Sequence, residues 1–189
     1  MNYLYSPYGN SIADTIPDAV KDDYLYKLYI KETENISNCY GIYGMLQELC
    51  SAALDLRVNN ISASIKYKEK SLSADDIKSY YFWKGYLMHY LDMLENRYPN
   101  TYESLMNHPD FVELIYDTFS YMEKQIDTAP VIVASARKEA APYVEWYLME
   151  DSQEQWCKIK TITEEKISNV KNFAVSYLTL YQLFVSKTS

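Results

Sequence analysis

Glycine, proline, cysteine and histidine are all scarce in this chain, whose 189 residues include 4 Gly, 6 Pro, 3 Cys and 2 His. So few turn formers exclude a turn-rich β-sandwich or barrel, because tight hairpins depend on residues that tolerate positive φ or pre-set a turn. The glycines are scattered, and no GxGxxG, P-loop or GxSxG element occurs. Two histidines leave little material for a zinc site or for general-base work. A di-metal carboxylate bundle needs Glu-x-x-His pairs, and the residues three before His89 and His108 are Tyr86 and Leu105. The Arg-x4-His element of small helical ribonucleases is missing as well. The chain therefore reads as a non-enzyme without metal or cofactor.

Cys39, Cys50 and Cys157 are an odd number at no metal-like spacing. On a continuous helix Cys39 and Cys50 would lie about 16 Å apart along one stripe, too far for a disulfide. All three are expected as reduced thiols in or near the core, which fits a cytoplasmic protein. Long hydrophobic runs are also lacking. The greasiest stretch, "FAVSYLTLYQLFV" at 173–185, is interrupted by Ser176, Thr179 and Gln182 and falls short of the ~20 residues that span a bilayer. The start, "MNYLYSPYGN", has neither the basic n-region nor the apolar h-region of a signal peptide. No membrane association is expected.

Apolar residues, by contrast, are plentiful at 48%, and their spacing is helical almost throughout. The expected class is all-α: a single-domain bundle of about five to seven helices around a central aromatic-rich one. An irregular, tyrosine-bearing arm at 1–16 (Tyr3, Tyr5, Tyr8) precedes a helix that opens at Pro17 or Asp18. That helix is expected to reach about residue 57, with a break near 35–38, and Gly41 and Gly44 inside it need a closely passing neighbour. "VNNISAS" at 58–64 reads as a connection. Ser73 and Asp76 form a capping box for a helix at 74–98, which Pro99 stops. A short helical turn follows at 101–107. Pro109 then starts a helix with Val112, Ile115, Phe119, Met122 and Ile126 as its buried stripe. Pro130 and Pro142 bracket a short Ala-rich helix, in which "VIV" could also pass for a strand, and 144–149 continues helical. Thr161 and Glu164 cap the last helix, whose apolar face is Ile167, Val170, Phe173, Ala174, Tyr177, Tyr181 and Phe184.

The segment "YYFWKGYLMHYLDMLENRY" at 80–98 carries eight aromatic or histidine side chains. On a helical projection Ile77, Tyr80, Leu87, Leu91, Leu94 and Tyr98 form one apolar stripe, and Phe82, Tyr86, His89 and Met93 form a second. The sector with Lys78, Tyr81, Gly85, Asp92, Glu95 and Asn96 is expected to be wet. Such a helix belongs at the centre of a bundle; the alternative is that Phe82 and Tyr86 face a protein partner. Base stacking is disfavoured, because nucleic-acid platforms pair aromatics with a basic groove, whereas this chain has 18 Lys+Arg against 26 Asp+Glu.

The imbalance is local: residues 101–157 hold 11 of the acidic side chains and 3 of the basic ones. Asp110, Glu113 and Asp117 fall opposite the buried stripe of their helix, and Glu150, Asp151 and Glu154 follow on the next elements. Packed side by side, the two regions would make one acidic surface that attracts a basic protein and repels nucleic acid. Size, charge and missing chemistry are analogous to those of an immunity protein, an antitoxin or a phage anti-defence protein. The expected function is neutralisation of a basic partner, such as a toxin nuclease or a nucleic-acid-binding defence protein. The alternative is a self-assembling structural protein such as a virion or filament subunit. Net charge argues only weakly against a homo-dimer, since the basic C-terminal third could dock on a neighbour's acidic band.

Overall fold

The computed structural model describes residues 6–67, 71–129, 131–132 and 134–187, without the side chains of 63–64, 66–67, 71, 131–132, 134–135, 137 and 170–187. Tyr3 and Tyr5 therefore lie outside the described residues, as do the side chains of Val170, Phe173, Ala174, Tyr177, Tyr181 and Phe184. The chain is all-α. Nine α-helices are formed among the described residues, more than the sequence led us to expect: α1 Asp18–Lys21, α2 Tyr24–Tyr26, α3 Ile36–Cys39, α4 Ile42–Tyr67, α5 Ala74–Arg97, α6 Pro99–Met106, α7 Pro109–Asp127, α8 Ala134–Tyr147 and α9 Glu150–Lys187. One pair of two-residue parallel strands, β1 Ser71–Leu72 and β2 Val131–Ile132, ties the connection before α5 to the one before α8.

The extra helices come from the first third of the chain. Instead of one broken helix, residues 18–39 form three short helices and a π turn at Lys27–Lys31. Each restart is a side-chain cap: Asp23 accepts from the Leu25 amide at 3.0 Å, and Asn35 from the Ser37 amide at 3.0 Å. Gly41 is not a helix-interior glycine, for its φ is +52° and it separates α3 from α4. A Cβ there would lie 2.3 Å from both the Pro7 carbonyl oxygen and Ser6 Oγ. The close neighbour is thus the N-terminal segment rather than a passing helix. From Gly9 onward that segment is not an irregular arm. Gly9–Thr15 is a 3₁₀ helix with Ile12 buried, and Tyr90 donates to the Pro7 carbonyl at 2.5 Å from the centre of the bundle.

"VNNISAS" is helix, not connection, because α4 continues through it to Tyr67. Its asparagines find partners on other elements. Asn60 is buried and donates to Gln125 on α7 at 3.2 Å, and Asn59 donates to Asp76 in the cap of α5 at 2.9 Å. Further on, α8 runs through Pro142 to Tyr147, and α9 begins eleven residues before the expected cap, at Glu150. Thr161 lies within α9, and the Thr163 hydroxyl donates to the Ile159 carbonyl one turn back at 3.0 Å.

The centre of the fold is α5. Ser73 and Asp76 form the capping box at its start, and every residue from 82 to 91 is buried. The sector expected to be wet is closed at Gly85 by α8: a Cβ on Gly85 would sit 3.1 Å from the Trp146 ring. Lys78 is buried too, paired with Asp75 at 3.0 Å and Asp23 at 3.5 Å. α7 presents Val112, Ile115, Phe119 and Met122 to the core, with Ile126 half-buried at the edge. The α7 and α9 helices run antiparallel, since Glu113 pairs with Lys166 whereas Tyr116 stacks on Trp156 and Phe119 meets it edge to face.

Candidate functional site

Position 84 places a lysine on the buried stripe of α5, seven residues after Ile77 and seven before Leu91. A helix brings residues at this spacing nearly into line, so the stem of Lys84 enters the apolar interior between α7 and α9. Its ammonium donates to the Tyr80 hydroxyl at 2.8 Å and to Glu123 Oε1 at 2.5 Å. The Tyr80 hydroxyl in turn donates to the same carboxylate oxygen at 2.5 Å. Four rings surround the cation, with centroids 4.1 Å (Trp156), 4.7 Å (Tyr147), 5.2 Å (Tyr80) and 5.7 Å (Phe119) from Nζ. Ring faces carry negative charge density, so an aromatic box and a carboxylate together replace the water an ammonium loses on burial.

The electrostatics follow from that enclosure. Burial lowers the Lys84 pKa, partly opposed by Glu123. For Glu123, burial alone would raise the carboxyl, but the hydrogen bonds from Lys84 and Tyr80 outweigh it and hold it below the usual glutamate value. Burial and the adjacent carboxylate push the Tyr80 phenol well above its usual range, and burial raises Tyr147 to about 12. Both phenols stay protonated at neutral pH.

This cluster is the floor of a groove of about 400 Å³, lined also by Tyr81, Ile126, Asp127, Gln153, Cys157 and Lys160. Asp127 of α7 lines the groove, and Glu150 stands exposed one turn before Gln153 on α9. Cys157 is exposed here, rather than in or near the core as expected, while Cys39 and Cys50 are half-buried; all three are free thiols.

Of the residues singled out from sequence, Asp110, Glu113, Asp117, Glu150, Asp151 and Glu154 are all exposed. They do not form one continuous surface. The antiparallel packing of α7 on α9 sets Glu113 beside Lys166, about 18 Å along α9 from Glu154. Glu113 pairs with Lys166, and Glu154 with Lys158 at 2.8 Å. Lys158 also holds Glu95 on α5 at 2.7 Å, and Glu95 accepts from Gln155, which accepts from Tyr102 on α6. The lysines of α9 thus interrupt the band.

Phe82 and Tyr86 are corrected outright as exposed contact residues: both are 0% exposed. Phe82 packs against Tyr29, Trp83, Tyr86, Tyr143 and Trp146, and Tyr86 donates to the Tyr29 carbonyl at 3.4 Å. The π turn at Lys27–Lys31, through Tyr29, and α8, through Tyr143 and Trp146, cover the second aromatic stripe. His89 and Met93 of that stripe are buried as well. Lys84 and Glu123 were missed as a pair, although a lysine in phase with Ile77 and Leu91 is a readable signal. Among the described residues no three His, Cys, Asp or Glu side chains converge on a point that would hold a metal ion. No helix among them is long and apolar enough to cross a membrane. Compared with known families, curated proteins and solved structures, the chain has no match.

Proposed function

We propose that this chain acts by binding, as an acidic protein that captures and inhibits a basic protein partner in the manner of an immunity protein, an antitoxin or a phage anti-defence protein. The observation that carries the reading is the groove between α5, α7 and α9. Tyr81, Tyr147, Trp156 and Asp127 line it together with Lys84 and Lys160, and Glu150 and Asp151 are exposed in the first turn of α9. Lys84 and Lys160 lie over the Trp156 ring, and the groove adds the Tyr81 ring and the Asp127 carboxylate, which suit the guanidinium or ammonium of a partner's basic side chain. Exposed carboxylates elsewhere on α7, Asp110 and Asp117, extend the negative field and raise the encounter rate. A nuclease toxin or a nucleic-acid-binding defence protein is the fitting partner class, because each needs a basic surface of its own.

The test is the reversal of Asp127, Glu150 and Asp151 to Lys, with association measured against a panel of basic nuclease toxins. Association should slow several-fold at low ionic strength, and its salt dependence should flatten. The melting temperature should stay within the range of ordinary surface substitutions. An unchanged rate with unchanged salt dependence would remove the groove mouth from the interface.

A further inference from the structure

The longest helix before the centre, α4, is apolar on two faces. Its inner face buries Ile42, Met45, Leu49, Ala53 and Leu56. Its outer face carries Leu54, Val58, Ile61 and Ile65, exposed by 62%, 57%, 49% and 79%. Single exposed apolar residues are ordinary, but a contiguous stripe marks an interaction surface. The intervals of four, three and four keep these side chains within about 60° of the helix circumference. They reproduce the a/d pattern of a coiled-coil seam, with β-branched residues at the a positions (Val58, Ile65) and Leu54 and Ile61 at d.

Charge identifies the occupant. Between residues 50 and 62 the only charged side chains are Asp55 and Arg57, which flank the stripe on opposite sides and cancel. The chain as a whole carries −8, so this is the surface on which two copies approach with little repulsion. We propose that the outer face of α4 is a two-fold interface with a second copy of the same chain. The two α4 helices lie antiparallel, which sets their dipoles head to tail. Leu54 of one copy stands opposite Ile65 of the other, and Val58 opposite Ile61. All four apolar layers are then filled, and Asp55 lies beside Ser62. A shift of one heptad would set Asp55 against its own copy and Ile65 against Gln47. Covering the stripe and its flanks removes on the order of 1,000 Å² in total, the lower end of what a specific pair requires. The inference stands independently of the basic-partner reading, which uses a different face.

The experiment is sedimentation equilibrium of the full chain over a concentration series, beside the double variant Val58→Lys/Ile61→Lys. The wild-type chain should pass from monomer to dimer as concentration rises. The variant should remain monomeric throughout with the same helicity and melting temperature, because both positions are exposed in the single copy. A wild-type chain that stays monomeric into the hundreds of micromolar, or a variant that dimerises equally well, overturns the proposal. Growth beyond the dimer overturns it too, since a two-fold face closes on itself.

Discussion

Lys84 is 2% exposed, and its counter-charge Glu123 keeps 41% of its side chain in water. The asymmetry decides what each substitution should do. Glu123→Gln leaves a buried ammonium with an amide oxygen, a phenol and rings but no counter-charge, and removing one charge of a buried pair is strongly destabilising. We expect a loss of about 3 kcal/mol in urea unfolding, the low end for such pairs because Glu123 is partly solvated. Lys84→Met keeps the stem and removes the desolvation cost together with the charge, so it should change stability by less than about 1 kcal/mol. Combining the two should recover most of the Glu123→Gln loss. If Lys84→Met proves as damaging as Glu123→Gln, the box depends on the cation in a way that packing and pairing do not explain. His89 poses a second test at this scale. It is stacked on Trp146, and its Nε2–H donates to the Trp146 carbonyl at 3.0 Å, with its pKa lowered from 6.5 chiefly by burial. The unfolded chain therefore takes up a proton at this residue at a pH where the folded chain does not. Stability should fall as pH drops through about 6.5 and below, and His89→Gln should flatten that slope, measured as the urea midpoint between about pH 7 and 5.

At the scale of elements, the parts legible in the sequence were those whose determinants are local. The capping box of α5, the proline start of α7 and the stripe of α7 each depend on residues a few positions apart. What the sequence hid depends on distant partners. Asn59 and Asn60 look like loop formers until Asp76 and Gln125 are placed beside them, and the wet sector of α5 looks solvated until Trp146 lies on Gly85. The six acidic candidates were read as exposed and are so, whereas their division by Lys158 and Lys166 depends on the direction of α9 against α7. Gly41 carries the prediction here. An alanine would have to hold φ at +52° with its Cβ against the Pro7 carbonyl, a backbone atom that a rotamer change cannot move. Gly41→Ala should cost about 2 kcal/mol or more, combining left-handed strain with the clash. Gly85→Ala meets only the face of Trp146 at 3.1 Å in a helical backbone, and it should cost about 1 kcal/mol as mild overpacking. Thermal unfolding of both variants would show whether the order is right; the reverse order would mean that the N-terminal segment yields more easily than the α5–α8 contact.

For the whole molecule, the ionised groups that tie helices together set its response to acid. Asp23, Glu95 and Glu123 each feel a burial penalty that their hydrogen bonds and lysine partners outweigh, so all three sit below their ordinary values of 3.8, 4.5 and 4.5 in the fold. A carboxylate lowered on folding contributes stability that is present above its unfolded pKa and is lost as pH falls through the folded one. These three join the second short helix to α5, α5 to α9, and α5 to α7, so their protonation loosens three junctions of the central helix at once. Glu48 and Asp92 act in the opposite sense, because burial raises both, and Asp151 adds to the rise at Asp92. Neither holds a lysine, and their gain on protonation offsets only part of the loss. Below pH 4.5 the carboxylates neutralise while 18 Lys and Arg keep their charge, and a net negative chain becomes strongly positive. Stability should therefore decline steeply as pH falls from about 4.5, with one cooperative transition in far-ultraviolet circular dichroism. The variants Glu95→Gln and Glu123→Gln should start lower at neutral pH and decline less over the same range, because the titrating group is already gone. A urea midpoint that stays level or rises between pH 5 and 3 would mean that Glu48 and Asp92 dominate the balance and that the lysine pairs contribute little to holding α5 in place.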